Sequence, residues 1–481
     1  MKNISQLVLV PLAMIMASCG GGGGSSAPQT PQPPVTPPAA EGLLIEVESQ
    51  NQLLERVRQG FTQVATDNVA RAGTVDMVDG VALDAESSAP ASTDSFTTTY
   101  TLEASVDEHD YVKYDGDHLF IAPSRGMDCC FIVDDVARDL MVEESSLALD
   151  EAMPTPGPGD ERSIRILATD PQLAKASQVG TIPLSGSRTV EGLYTNDNQL
   201  ISISSSGWWG VFGDSFDNPS LWAGQTTALD IYDITDATNP DRQLQLEFQG
   251  GFVSSRRQGD MVYLVARHTP QIERYNYYPD SLQATENETL LDALEAEDIL
   301  PNMSINGVES PLLSISDCRV TDSENSLAPV NLGFPTMTML IAVDLTSQTV
   351  ANAVCYLEPT SGIYVSNNAI YLTQVDYAEA GTGSRTLVHS YSLSTELNYL
   401  GSGVVDGALA LSGDRDFRIN EHQGYLRLVT SQRTANAEDR IDHQLSVLKL
   451  ATDKPELNLV ATLPNTERTA AIGKPNEDLY G

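Results

Sequence analysis

The side chains that could perform chemistry are scattered along this sequence and form no catalytic motif. The six histidines are far apart and make no His-Glu-x-x-His pair of the kind that binds catalytic zinc. The chain also has no Cys-x-x-Cys, no Gly-x-Ser-x-Gly nucleophile elbow and no phosphate-binding loop. We therefore predict no catalytic residue, no metal site and no cofactor. The histidines are His109, His118, His268, His389, His422 and His443.

Two residues match the Ser-x-x-Lys spacing of some hydrolases. Ser446 and Lys449 could act together only on a helix, which would bring both side chains to one face. The segment has the alternation of a strand, in which residues three apart point to opposite sides. We therefore do not interpret this pair as a nucleophile and its base.

Four acidic residues crowd one short stretch, at Asp107, Glu108, Asp110 and Asp115. They could bind a cation together. The alternative, which we favour, is that they fix turns and strand starts through side-chain hydrogen bonds to the backbone.

The N-terminus has the features of a lipoprotein signal peptide. Lys2 precedes a mostly apolar stretch from Ile4 to Met16, which is too short to cross a bilayer as a helix. Met16-Ala17-Ser18-Cys19 resembles the bacterial lipobox, in which the cysteine thiol carries the lipid. We predict a signal peptide over residues 1–18 and a lipid anchor on Cys19. The alternative is an ordinary secretory signal with a chance cysteine.

Residues 19–42 are rich in Gly, Ser and Pro, a composition that forms flexible tethers. Gly20, rather than Asp, follows the cysteine, which resembles an outer-membrane address. No second apolar run is long enough to span a membrane. The predicted attachment to the membrane is therefore the lipid alone.

The overall charge excludes one class of partner. The chain of 481 residues has 27 basic and 66 acidic residues, and its formal net charge is −39. Such a chain is repelled by nucleic acid and by anionic lipid head groups. The balance suits an exported protein and predicts no nucleic-acid binding.

The 43–98 region is predicted to hold a short helix and a linker. Ser49 can cap a helix that runs to Gln63, and Leu53, Leu54, Val57 and Phe61 fall at helical spacing. Residues 72–98 are rich in Ser, Thr, Ala and Asp and have few aromatic residues, as expected of a linker.

From about residue 106 onward, a two-strand pattern with a tight Asn, Asp or Gly turn appears five times. Each pair is followed by a third strand, and several continue through a turn into a fourth. Repeated units of four antiparallel strands, which we name A to D, are typical of propeller blades, whereas an irregular β-sandwich is the alternative. The two-strand units lie at residues 110–122, 191–204, 252–266, 362–375 and 417–430, and the third strands at 163–168, 227–234, 337–345, 386–393 and 444–450.

Two segments resemble a known family. Val106 to Gly116 is similar to the opening motif of secreted prokaryotic proteins with a C-terminal β-propeller distantly related to WD40 repeats. Leu229 to Asp236, with Asn239-Pro240 and Gly251 to Arg256, is the second such segment. The resemblance implies an all-β propeller over residues 99–481 and implies no activity.

The loops between strands B and C are long, whereas the A–B and C–D turns are short. Blades are related by rotation, so the B–C loops should emerge on one face together with the D–A crossings. Long loops on a rigid scaffold are common places for binding. These loops span residues 123–162, 207–226, 267–336, 376–385 and 432–443.

One B–C loop contains all three tryptophans of the chain. Exposed aromatic rings there could stack on a sugar or pack against a partner protein. The alternative, which we favour, is a loop that packs its own small core. The candidate residues are Trp208, Trp209, Phe212, Phe216 and Trp222.

Four cysteines remain after Cys19, and an even number in an oxidising compartment permits two disulfides. Cys318 lies in the longest B–C loop, and Cys355 lies late in the following D strand, which returns toward the same face. We therefore predict a Cys318–Cys355 disulfide. Cys129 and Cys130 would then form a vicinal bridge or remain thiols.

These observations support two hypotheses. The first is an envelope-anchored binding or scaffold protein that uses the B–C loop face to hold a protein or glycan ligand. The second is a propeller hydrolase or lyase acting on polysaccharide, which would need two carboxylates about 5 to 10 Å apart in a cleft. We favour binding, without an enzymatic activity.

The end of the sequence suggests an incomplete repeat. Glu477 to Gly481 resembles the start of a sixth A strand, after five full blades. A propeller must close, so the sequence predicts that the chain is truncated. The rival prediction is that Leu43 to Val47 pairs with the last blade to close the ring.

Overall fold

The computed structural model describes residues 42–72, 101–103, 105–123, 162–184, 188–206, 219–360, 362–377, 383–409, 418–433 and 441–473. Within these ranges, no helix has both the length and the hydropathy needed to cross a membrane. Several sequence predictions lie outside the described residues: the signal peptide, Cys19, the tether, the Cys129-Cys130 pair and the C-terminal Glu477 to Gly481.

Strands dominate the fold, and the 25 strands of the described residues form five sheets, each built around four antiparallel strands. The elements before the first sheet are strand β1 (Leu44–Glu46), helix α1 (Gln50–Ala72) and strand β2 (Asp107–Glu108). Blade 1 contains β3 (Val112–Tyr114), β4 (His118–Ile121), β5 (Ser163–Asp170) and β6 (Lys175–Pro183). Blade 2 contains β7 (Thr189–Asn196), β8 (Gln199–Ser205), β9 (Thr226–Asp233) and β10 (Asp241–Gln249).

Blade 3 is interrupted by a long insertion between its strands B and C. Its first two strands are β11 (Gly251–Gln258) and β12 (Met261–His268). The insertion holds α2 (Ser281–Asp292), α3 (Ala296–Ile299), β13 (Asn302–Ile305), β14 (Val308–Pro311) and β15 (Cys318–Thr321). The blade is completed by β16 (Met337–Asp344) and β17 (Thr349–Tyr356).

Blade 4 contains β18 (Gly362–Val365), β19 (Ala369–Tyr377), β20 (Ser384–Ser392) and β21 (Tyr399–Asp406). Blade 5 contains β22 (Ile419–His422), β23 (Tyr425–Arg433), β24 (Ile441–Leu450) and β25 (Leu457–Leu463). The predicted all-β fold of four-stranded antiparallel blades is therefore confirmed.

Hydrophobic clusters join each blade to the next. The cluster between blades 1 and 2 includes Phe120 and Leu193, and the cluster between blades 4 and 5 includes Val388 and Leu428. Two further clusters lie between blades 2 and 3 and between blades 3 and 4. The blades therefore pack face to face in chain order, because the strands of blades 2, 3 and 4 have buried side chains on both faces.

A threonine near the start of strand C fastens three of the blades to the crossing that follows strand D. Thr227 donates to the Gly250 carbonyl over 2.7 Å, and Thr338 donates to the Glu358 carbonyl over 2.6 Å. Thr386 donates to the Gly407 carbonyl over 2.7 Å. Each bond satisfies a buried carbonyl where the chain leaves one sheet for the next.

The N-terminal segment joins blade 3. Strand β1 pairs antiparallel with β15, and β15 pairs in parallel with β17. The rival prediction that Leu43 to Val47 pairs with the last blade is therefore wrong, because the insertion of blade 3 offers the unpaired strand edge that β1 covers.

Helix α1 continues to Ala72, beyond the predicted end at Gln63. Its buried stripe runs through Val57, Phe61 and Ala65. The small Ala65 extends the spacing of four residues by one more turn, so the packed face is longer than the large apolar residues alone indicate.

The segment 101–110 runs past the A strands of three blades in turn. Tyr364 of blade 4 donates to the Glu103 carboxylate, β2 pairs with β11 of blade 3, and Asp110 bridges to Leu193 of blade 2. The described residues of this segment therefore connect the A-strand edges of blades 2, 3 and 4.

The same segment explains the acidic residues noted in the sequence. Asp107 contacts Lys113 at 2.8 Å and Arg257 at 3.3 Å, and Glu108 lies 3.5 Å from Arg256. Two of the four acids therefore pair with basic residues. Asp115 accepts from the backbone of His118 over 2.6 Å, which is the predicted turn role.

Candidate functional site

A polar cavity opens at the face that carries the B–C loops. Its volume is about 470 Å³, and it lies where α1, the end of the blade 3 insertion and the strand ends of blades 4 and 5 meet. Strands B and D end at this face and strand C begins there, and the strand ends of blades 4 and 5 contribute side chains to the cavity. Its lining includes Gln59, Gln63, Val330, Asn331, Asp376, Ser384, Arg385, Asp406 and Gln432.

An arginine between two aspartates forms the blade 4 wall of this cavity. Arg385 is the direct cross-strand partner of Asp376 on β19 and of Asp406 on β21. Residues directly opposite each other project to the same face of a sheet, so the three side chains form one row. The Arg385 guanidinium contacts Asp376 at 2.6 Å, and both side chains are partly exposed. The row therefore presents fixed hydrogen-bonding groups to the cavity.

A second polar cavity of about 340 Å³ lies beside the first, at the same end of blade 5. It is bounded by the end of β23, the start of β24 and the chain that follows β25. Gln432 lines both cavities, and its amide nitrogen lies 3.5 Å from the Ser384 carbonyl. We call the two cavities together the polar groove. The lining of the second cavity includes Thr430, Asp442, His443, Gln444 and Thr469.

A third cavity of about 430 Å³ separates α1 from α2. Its lining is less polar and includes Ala65, Tyr275, Ala284 and Leu291. Tyr275 donates to the Phe61 carbonyl over 2.7 Å, which ties the insertion to α1 beside this cavity. The cavity lies at the contact between two helices rather than at strand ends.

The predicted aromatic site is only partly within the described residues. Trp208, Trp209, Phe212 and Phe216 lie outside them. Trp222 is 3% exposed, so it is not an exposed platform for a ligand, and its burial fits the alternative that we favour, a loop that packs inward. The guanidinium of Arg267 lies 4.7 Å from the centre of its ring, and a Cβ on Gly251 would collide with that ring. Trp222 therefore packs inside the protein.

One buried network has the order of a catalytic triad. The Nδ1 atom of His389 lies 2.6 Å from Ser402 Oγ, and its Nε2 atom lies 3.2 Å from Glu358 Oε2. All three residues are at most 1% exposed, so the hydroxyl cannot meet a substrate. Thr321 of β15 donates to Glu358, and the Tyr399 hydroxyl lies 2.6 Å from Ser402 Oγ. The network therefore links blade 3 to blade 4.

Sequence reasoning missed this network because its members come from three separate elements. Glu358 follows β17, whereas His389 and Ser402 are cross-strand partners on β20 and β21. A buried polar set must satisfy its own hydrogen bonds, and these three residues satisfy one another. A histidine and a serine in neighbouring strands of one blade are the only sequence signal, and it is a weak one.

Two perturbed titratable groups lie away from the polar groove. Burial raises the pKa of the Asp230 carboxyl to about 6, against the attraction of Arg242 and Arg188. Burial lowers the pKa of His268 to about 4, against a hydrogen bond to the Ile299 backbone. Asp230 lies in the middle of β9, and His268 ends β12 beneath the insertion. Neither residue lines the groove.

The disulfide lies outside the groove and holds the insertion to its own blade. Cys318 and Cys355 are bonded, with Cα atoms 4.4 Å apart, and they are partners in the parallel register of β15 and β17. Within the described part of the chain, no group of three or more His, Cys, Asp or Glu side chains could hold a metal ion.

The sequence profile described as Beta propeller domain matches residues 96–481. The chain belongs to this beta-propeller domain family. No curated protein matches it.

Solved structures that resemble this beta-propeller do so weakly. A structure of Saccharomyces cerevisiae Dbp5 bound to Nup159, Gle1, IP6 and ADP matches with 8% identity and a TM-score of 0.26, over 62% of this chain and 55% of that one. The chain thus spans about half the length of the matched chain in that structure. A putative 6-phosphogluconolactonase from Bacteroides fragilis matches with 10% identity and a TM-score of 0.20, over 63% and 77%. A second, from Bacteroides uniformis, matches with 9% identity and a TM-score of 0.19, over 64% and 80%. Similarity this low does not extend to function.

The polar groove is therefore the candidate functional site of this propeller. The B–C loop face was predicted from the sequence, whereas the lining residues were not. Gln59 and Gln63 come from α1, which lies more than 300 positions from Asp376 and Gln432, and no local pattern connects them.

Proposed function

We propose that this protein is a lipid-anchored binding protein of the bacterial cell envelope, which holds its ligand in the polar groove. The observation that carries the proposal is the row of two cavities that meet at Gln432, at the strand ends of blades 4 and 5. A concave site with a few polar groups on rigid strands is the usual form of a binding site. The lipid anchor on Cys19 and the outer-membrane location rest on the sequence motifs.

The geometry supports binding better than hydrolysis or lysis of polysaccharide. A hydrolase of the second hypothesis needs one carboxylic acid to donate a proton and one carboxylate to act as base or nucleophile. In the groove, Asp376 is held in an ion pair with Arg385 at 2.6 Å, so its carboxylate is already engaged by a cation. Among the described residues, the carboxyl group whose pKa is raised is that of Asp230, and it lies in blade 2, outside the groove.

The groove is tested by blocking its mouth with a bulky residue. Val330 is 85% exposed and lines the larger cavity, so Val330→Trp adds bulk without removing a buried group. Val308, which is 71% exposed on β14, provides the matched control Val308→Trp. The full chain, purified in detergent and immobilised, is incubated with detergent-solubilised envelope.

We expect a species that is retained by the wild type and by Val308→Trp and is lost from Val330→Trp. Retention of the same species by all three proteins would overturn the groove as the binding site. Loss from both variants would show a general effect of the added ring and would also count against the groove.

The anchor is tested separately. Cys19→Ser removes the thiol that carries the lipid, so we expect an unprocessed or soluble species instead of a membrane-bound one. Fractionation of cells that produce each form measures this. A variant that still sediments with membranes like the wild type would contradict the proposed anchor.

A further inference from the structure

We propose that the polar groove binds a neutral, hydroxyl-rich polymer, an oligosaccharide, with Gln432 at the junction of two adjoining subsites. This inference rests on the proposed function, because it names the ligand class of the same groove. The observation that supports it is that one amide side chain, Gln432, lines both cavities.

The lining matches hydroxyl groups in its hydrogen-bonding character. Side-chain amides supply both donors and acceptors, as hydroxyl groups do. The groove has such amides at Gln59, Gln63, Asn331, Gln432 and Gln444. An array of paired donors and acceptors can therefore bind a ligand whose surface consists of hydroxyl groups.

The charge of the groove disfavours an anionic polymer. Its acids are Asp376, Asp406 and Asp442, and Arg385 is the one arginine or lysine among the residues that line the two cavities. The whole chain carries a formal net charge of −39, which repels polyanions over a longer range. A phosphorylated or sulfated polymer would thus be disfavoured, whereas a neutral one would not.

The architecture also disfavours an extended peptide. Peptides commonly bind as an added strand along an unpaired sheet edge. The groove is lined by strand ends: Asp376 and Gln432 lie near the ends of B strands, Asp406 ends a D strand, and Ser384 starts a C strand. In the described part of blade 4, β19 and β20 pair on both sides, so the groove offers side chains rather than a free edge.

The test is titration of the full detergent-solubilised chain with neutral oligosaccharides of increasing length. The panel covers hexose, N-acetylhexosamine and deoxyhexose polymers, with a heparin oligosaccharide and tetralysine as charged comparisons. Isothermal calorimetry gives the affinity. We expect at least one neutral series to bind, with an affinity that rises with length until both subsites are filled.

Variants locate the binding. Gln432→Leu removes the shared amide and should weaken the longer oligosaccharides by about tenfold, the effect of one lost hydrogen bond. Gln63→Leu and Gln444→Leu each alter one cavity and should weaken the long ligands less. Gln178→Leu, on the exposed face of β6 in blade 1, should change nothing. Unchanged thermal midpoints show that each variant is folded.

Three results would overturn the inference. In the first, no neutral series binds at about 1 mM, a weak affinity for any specific site. In the second, the oligosaccharides bind but Gln432→Leu has no effect. In the third, tetralysine or heparin binds in their place. If any of these occurs while Val330→Trp still loses its envelope species, the groove remains a binding site and only the ligand class is wrong.

Discussion

Blades 3 and 5 are copies of the same four-strand unit and differ in how their edge strands are covered. Blade 3 carries β2 beside its A strand, and β15 and β1 beyond its D strand, so both edges are covered. Within the described residues, blade 5 has four strands, and Leu459 and Val460 on its outer strand are 50% and 51% exposed. The stability of a blade therefore depends on segments from elsewhere in the chain as well as on its own strands.

The largest expected difference concerns the helix that packs on blade 3. Phe61 is fully buried, and its ring centre lies 5.0 Å from that of Tyr275 in the insertion of blade 3. Phe61→Ala should lower the free energy of unfolding by about 3 to 5 kcal/mol, through lost burial and a cavity. Denaturant titration measures the loss.

The matched change in blade 5 is Tyr425→Ala, at a ring that is 38% exposed. It should lower the free energy of unfolding by about 1 kcal/mol or less. Equal losses for the two variants would contradict the comparison between the blades.

The disulfide is the second difference, since it closes a loop in blade 3 and has no counterpart among the described residues of blade 5. Cys318 and Cys355 are 37 positions apart. Replacing both by Ala should lower the free energy of unfolding by about 3 to 4 kcal/mol, because the unfolded chain gains freedom. A reducing agent should move the wild type to the stability of the variant. A wild type that is insensitive to reduction would argue against the expected contribution.

The third difference is a pH dependence that comes from His268 at the end of β12. The unfolded chain binds a proton near the ordinary histidine pKa, whereas the buried pKa in the folded state is about 4. The unfolded state therefore binds more protons between these values, so stability is lost as the pH falls from about 6.5 to about 4, by about 3 kcal/mol in total.

His268→Gln should flatten this part of the pH profile, measured as unfolding midpoints at several pH values. His422 of blade 5 is exposed at the end of β22, and His422→Gln serves as the control. A profile that keeps its slope in His268→Gln would assign the dependence to other groups.

The smallest effect is expected on the open face of blade 5. Leu459→Thr should change the free energy of unfolding by no more than about 0.5 kcal/mol, because half of the side chain is already in water. Leu340→Thr on β16, at a residue that is 1% exposed, should cost about 2 kcal/mol or more. A large loss for Leu459→Thr would show that this face is covered in solution.

Local patterns predicted the strands well and the long-range pairings poorly. The hairpins at Asp197 and Gly259 could be predicted because their turns need positive φ, and Asp and Gly residues adopt it more easily than most others. The pairing of β1 with β15 could not be predicted from local patterns, because those strands are more than 270 positions apart. Nothing in the short sequence around Glu46 indicates Arg319 as its partner.

The candidate site also has a part that the sequence predicts and a part that it does not. The face was predictable, because loop length and blade rotation place the B–C loops together. The groove was not, because it needs α1, the end of the insertion and two blades to meet at Gln432. Trp222 was a candidate for ligand binding because exposed tryptophans often contact ligands, yet its ring packs against Gly251.

The N-terminal segments of the chain make contacts that can form only late in folding. Glu103 contacts Tyr364, 261 positions further along the chain, and the Leu44 backbone donates to the Tyr399 hydroxyl over a separation of 355. Each blade can form from strands that are neighbours in the sequence. These contacts need blade 4 to be present, and they form slowly because they close very long loops. The first described segments of the chain can therefore reach these partners only when the strands of blade 4 are present, so their docking is a late step of folding.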